Sequence, residues 1–157
     1  MAPSSPSSSP PPRGVVSDSL TSLKSSWSSC PGLLSVTQIH SSGLSLLFRT
    51  ASQMRHLVRH GGGGDDRLKR KILATVFYES STRTACSFQA AMVRLGGSFQ
   101  HVDCGKSGGS ASSKKGESLS DTMRCLECYA DAVVLRHPET GSVGGCLGRT
   151  TKPLINA

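Results

Sequence analysis

The chain has 157 residues, a formal net charge of +8 and 36% hydrophobic residues, which allows about one domain with one modest core. A basic balance favours a phosphate-bearing partner, but aromatics are only 4% of residues and no stretch interleaves Lys or Arg with stacking rings, which argues against a nucleic-acid surface. No run approaches the roughly 18 apolar residues of a membrane span, and the six cysteines lack the dense spacing of a secreted disulfide scaffold, so composition points to a soluble protein of a reducing compartment.

Residues 1–32 are rich in Ser and Pro and poor in large apolar side chains, which predicts a disordered linker or tail. A Ser-rich, acid-poor leader also describes a transit peptide, but Pro is dense in Met1–Pro12 and Arg is nearly absent. The folded domain is expected over 33–157. Leu44, Leu47, Phe48, Ala51, Met54 and Val58 recur at helical spacing and predict an amphipathic helix, ended by the Gly61–Gly64 turn. Ile72–Tyr78 reads as a strand covered on both faces, followed by a helix through Thr84, Phe88, Ala91, Met92 and Leu95 that closes at Gly96-Gly97.

Ser98–Val102 is a second candidate strand. Gly105–Gly116 then forms a Gly/Ser/Lys loop of the kind that stays mobile until a ligand arrives. Ser118 and Asp121 give a capping-box pattern for a third helix, with Leu119, Met123, Leu126 and Ala130 on one face. Asp131–Leu135 and Pro153–Asn156 complete the strands, and the glycines at 144, 145 and 148 leave any helix in Gly141–Thr151 marginal. Strands alternating with helices predict an α/β fold, a parallel sheet flanked by helices, with ligands bound at the carboxyl ends of the strands.

Two polar clusters fall at those ends, Ser80–Thr84 and Arg136–Pro138. In the first, backbone amides, hydroxyls and the Arg83 guanidinium gather at a helix N-terminus, where free N–H groups and the helix dipole favour an oxyanion. The alternative is that these Ser and Thr side chains only cap the helix while Arg83 is solvated. Weaker signals carry less. Gly105-Lys106-Ser107 imitates the tail of a P-loop, but His101 stands where that motif needs Gly. Cys125-x-x-Cys128 has no second pair to complete a metal site and reads as ordinary helix cysteines, and His56 and His60 are one helical turn apart.

The run Phe77-Tyr78-Glu79-Ser80-Ser81-Thr82-Arg83-Thr84, then Ser87-Phe88 and Arg94-Leu95-Gly96-Gly97, resembles the signature region of the aspartate and ornithine carbamoyltransferases. The resemblance implies that Ser81, Thr82, Arg83 and Thr84 bind carbamoyl phosphate, with Thr84 reaching its carbonyl. Lys114-Lys115-Gly116-Glu117-Ser118-Leu119 resembles the family's mobile loop, which assigns Lys115 to the active site of a neighbouring subunit and implies a homotrimer. Ala111 stands where that loop has a serine, so no serine is assigned there. Leu135-Arg136-His137-Pro138 resembles the aspartate branch, with Arg136 on the carbonyl and phosphate oxygens and no role for His137.

The implied reaction is attack by the amine of L-aspartate on carbamoyl phosphate in de novo pyrimidine synthesis, with Thr84 and Arg136 as catalytic residues and no metal or organic cofactor. The match runs from Leu33 to Ala157. The family's later His-Pro-Thr-Gln segment and aspartate-binding domain lie beyond it, so carbamoyl phosphate recognition with little turnover, and an exposed apolar flank, are expected of this span. The Ser/Pro-rich leader before Leu34-Ser35-Val36 resembles the linker that enters the transcarbamylase part of the large animal pyrimidine polypeptide, which favours the cytoplasm, no membrane and no nucleic acid. An ornithine-type enzyme and a non-enzymatic anion- or nucleic-acid-binding module are the alternatives.

Overall fold

The structure, a computed structural model, describes residues 32–105 and 116–157. Its centre is strand β2 (Ile72–Phe77), in which Leu73 to Phe77 are all buried. A continuous apolar run of this length, without polar alternation, is stable only where both faces are covered. Strands β1 (Gly32–Leu33), β3 (Ser98–Asp103), β4 (Ala132–Arg136) and β5 (Leu154–Asn156) join it in one parallel sheet of order β1-β5-β4-β2-β3. The expected class, a parallel sheet flanked by helices, is therefore the observed one.

Because side chains alternate between faces, the register divides the core in two. Leu73, Phe77 and Val134 face one side and pack with Ala85 and Met92 of helix α2 (Thr82–Arg94). Ala74, Val76, Val133, Leu135 and Leu154 face the other, against Met123 of helix α3 (Leu119–Leu126) and Val143 of the short helix α4 (Ser142–Gly145). The glycine-rich stretch thus yields only a four-residue helix. Helix α3 also stops at Leu126, so Ala130 reaches the core from the turn beyond it.

Helix α1 (Ser41–His60) forms where periodicity places it, but its apolar stripe is not the buried one. Gly43 and Leu46 are buried, whereas Leu44, Phe48 and Val58 are 40%, 65% and 40% exposed. The period set the helix, but burial falls on Gly43 and Leu46 rather than on the predicted stripe. At its end Gly64 is required by packing rather than by turn freedom, since a Cβ there would lie 2.0 Å from the Arg94 carbonyl oxygen. Strand β3 is one edge of the sheet, β1 the other, and most of β3 is exposed.

The starts of β2 and β4 are tied by one carboxylate. Asp131 accepts from Lys71 Nζ at 2.8 Å and from the Ile72 amide at 2.9 Å. These two bonds, the lysine's first, hold its carboxyl below the usual carboxylate range. A lowered folded-state value contributes stability that is present above the unfolded value near ~3.9 and is lost as pH falls through the folded one. Asp131→Asn is expected to lower unfolding free energy at pH 7 by about 1 kcal/mol, a figure already discounted for its exposure. The deficit should shrink on acidification, measured by urea titrations at pH 7 and pH 3; an equal deficit at both would remove the ionic contribution.

Candidate functional site

The chain leaves β2 and moves to β3 on one side, then returns across it to place β4 and β5 on the other. This makes the gap between the carboxyl ends of β2 and β4 a topological switch point, where open parallel sheets leave room for a ligand. Ser80–Thr84 follows β2 and Arg136 ends β4, so both predicted clusters meet there. The register pairs Phe77 with Arg136, which puts the arginine on the same face as Phe77 and Val134, the face that α2 covers. The Tyr78 amide donating to the Arg136 carbonyl at 2.9 Å locks the two strand ends together.

Ser81 occupies the N-cap of α2 but makes no side-chain cap bond. Its hydroxyl instead donates to Thr84 Oγ1 at 2.9 Å. The first turn closes with the Ala85 amide on the Ser81 carbonyl at 3.0 Å. The amides of Thr82, Arg83 and Thr84 consequently find no acceptor among the described residues, and they carry the positive end of the helix dipole. Ser81 therefore does not cap the helix, because the hydroxyl that would satisfy these amides is turned to Thr84. Arg83 is exposed and Thr84 half-buried.

Arg136 is held differently. Its Nη2 lies 3.0 Å from Glu79 Oε2, while its Nε is buried without a hydrogen-bond partner. A guanidinium with one arm on an exposed carboxylate and another unsatisfied can exchange that carboxylate for a ligand oxyanion. Glu79 was not singled out from the sequence, although it stands inside the quoted signature run. His137 is occupied structurally: its Nδ1 accepts from the Glu139 amide at 3.1 Å and its ring lies 4.8 Å from that of Tyr78.

A cleft of about 310 Å³ opens beside the α2 N-terminus, walled by Ser80, Ser81 and Thr82 and, from β3, by His101 and Asp103. Thr84 and Arg136 are not among its walls, so the cleft adjoins the switch point rather than filling it. His101 Nδ1 lies 2.9 Å from Thr75 Oγ1, and the Gly105 amide donates to Asp103 Oδ1 at 2.9 Å. A Cβ on Gly105 would stand 3.4 Å from Ser80 Oγ, so the segment that continues toward Lys115 departs beside the site. Lys115 and the loop serines lie outside the described residues. Neither His101, named only as the residue that breaks a P-loop pattern, nor Asp103 was assigned to the site from the sequence; their signal was the period-two spacing within an edge strand. Cys125 and Cys128 are exposed, free thiols.

The Aspartate/ornithine carbamoyltransferase, carbamoyl-P binding domain model matches residues 32–157. The multifunctional protein pyr1-3 of Dictyostelium discoideum is 52% identical over 125 residues, covering 80% of this chain and 5% of that protein. The aspartate carbamoyltransferase catalytic subunit of Methanopyrus kandleri is 44% identical over 125 residues, covering 80% of this chain and 39% of its own length. Aspartate transcarbamoylase from Trypanosoma cruzi in complex with carbamoyl phosphate and aspartate superposes with a TM-score of 0.76 at 32% identity, over 86% of this chain and 42% of that one. The chain therefore spans well under half of each relative it matches.

If Glu79 competes with a ligand for Arg136, Glu79→Gln should bind inorganic phosphate more tightly, by about fivefold, since one nearby carboxylate charge is removed. Calorimetric titration of both proteins measures this. Weaker binding by the variant would show that Glu79 positions the guanidinium instead.

Proposed function

The chain belongs to the aspartate/ornithine carbamoyltransferase family, and from that premise we propose that its residues 32–157 form the carbamoyl-phosphate-binding half of an aspartate carbamoyltransferase. The observation that carries this reading is the uncapped first turn of α2, with unused amides at Thr82, Arg83 and Thr84 on the same sheet face and end as Arg136. A doubly charged phosphate satisfies those amides in a way that water alone does not. Ser81, Thr82 and Arg83 hold the phosphate in this proposal. Thr84, whose Oγ1 already accepts from Ser81, keeps its own proton free for the carbonyl oxygen, which Arg136 shares.

In the proposed reaction the amine nitrogen of L-aspartate attacks the carbonyl carbon, the C–O bond to phosphate breaks, and the amine loses a proton as phosphate leaves. Negative charge grows on the carbonyl oxygen and on the leaving group. Fixed donors at both places lower the barrier, and holding two substrates in one orientation supplies much of the rest. The chemistry calls for no metal or redox group. The aspartate side requires residues other than 32–157. The aspartate branch is favoured over ornithine by Arg136-His137-Pro138 and by the aspartate carbamoyltransferases among the relatives.

The reading extends to assembly. Lys115 would serve the site of a neighbouring subunit, which requires an oligomer, and a homotrimer in the cytoplasm is the form we propose. No helix among the described residues is long and apolar enough to cross a membrane. Calorimetry with carbamoyl phosphate tests the site: Arg83→Ala should weaken binding at least about tenfold, because a charge-assisted pair to phosphate is lost. An unchanged heat signal would refute the assignment.

A further inference from the structure

Helix α1 carries a second concentration of anion-binding groups that the carbamoyl phosphate site does not use. Ser52, Arg55, His56, Arg59 and His60 line a shallow cleft of about 210 Å³ along its last turns. All five are hydrogen-bond donors, and the whole helix, Ser41–His60, contains no Asp or Glu. The nearby carboxylates are committed elsewhere, Asp65 to Arg67 and Asp66 to Lys69. Among the described residues no acid pairs with Arg55 or Arg59. The cleft is also remote from the switch point: α1 ends where Arg94 Nη1 donates to the Gly63 carbonyl at 2.8 Å, at the end of the sheet where β2 and β3 begin.

The helix dipole favours cations near a C-terminus, which accounts for one or two such residues. It does not account for Arg55 and Arg59, then His56 and His60, stacked as like pairs at i,i+4 with the imidazole centroids 5.1 Å apart. The like charges of Arg55 and Arg59 repel each other at that spacing, a repulsion that a bound oxyanion removes. Two planar guanidinium forks one turn apart, with a hydroxyl and imidazoles beside them, suit adjacent phosphoryl groups. We propose that this face of α1 is a second oxyanion site, taking a polyphosphate chain, either free or carried by a nucleotide. Metal chelation by His56 and His60 is the rival use of the same side chains, and the flanking arginines oppose it electrostatically.

The test uses the full 157-residue chain and reads the histidine ring resonances of His56 and His60, so it reports this cleft whether or not carbamoyl phosphate binds at Arg83. Pyrophosphate and ATP should shift both rings saturably. Equal affinities would identify a free polyphosphate as the source, and tighter ATP a nucleotide. The double variant Arg55→Ala/Arg59→Ala should bind pyrophosphate roughly tenfold more weakly at these rings, with Arg55→Lys/Arg59→Lys intermediate and carbamoyl phosphate affinity unchanged in both. Rings that ignore pyrophosphate, or respond equally in the alanine variant, would overturn the proposal. So would a response to zinc alone.

Discussion

Strand β2 is paired on both edges and covered on both faces, and nearly every other feature of the molecule is placed by that constraint. Its backbone groups must all be satisfied by β3 and β4, because no water reaches Leu73 to Phe77. Pairing on both sides fixes where Asp103 and Arg136 end, opposite Phe77. The segment after Phe77 must then turn out between two neighbouring strand ends and enter α2. The loop, helix N-terminus and arginine of the candidate site are thus brought together by satisfaction of the central strand.

The site so formed balances charges that want different partners. Free amides at the start of α2 and the Arg83 side chain favour an anion, while of the neighbouring carboxylates Glu79 is engaged with Arg136 and Asp103 walls the adjoining cleft. That ion pair is exposed enough to be weak, with side chains 31% and 52% accessible. A weak internal counter-ion keeps the guanidinium oriented without binding it so firmly that a dianion could not displace it. The Arg136 Nε, buried without a partner among the described residues, fits the same account, since such a donor can be satisfied by a ligand oxygen.

Helix α1 shows how one element can carry three surfaces. Gly43 and Leu46 are buried, Leu44, Phe48 and Val58 are exposed apolar side chains, and Ser52, Arg55, His56, Arg59 and His60 line a polar cleft. An exposed apolar stripe on this scale is a surface that partners normally cover. The residues of the predicted apolar stripe are thus the ones left outside.

The elements themselves were legible in the chain because their causes are local. The Ile72–Phe77 run is apolar except for Thr75 and bounded by polar residues, Ser118 caps α3 through the Asp121 amide, and glycines after Gly141 limit α4 to one turn. The Ser80–Thr84 cluster was legible as a candidate anion site for the same reason, since hydroxyls and Arg at a strand-to-helix junction are a property of neighbouring positions. Hydrogen bonds between distant strands leave no such trace. That β4 inserts beside β2 and carries Arg136 onto the α2 face, that Glu79 holds it, and that His101 and Asp103 wall the cleft were decided only by tertiary pairing. Periodicity likewise gave α1 its helix but not its contact face. Burial depends on which surfaces meet, and the order of residues along one helix does not contain that information.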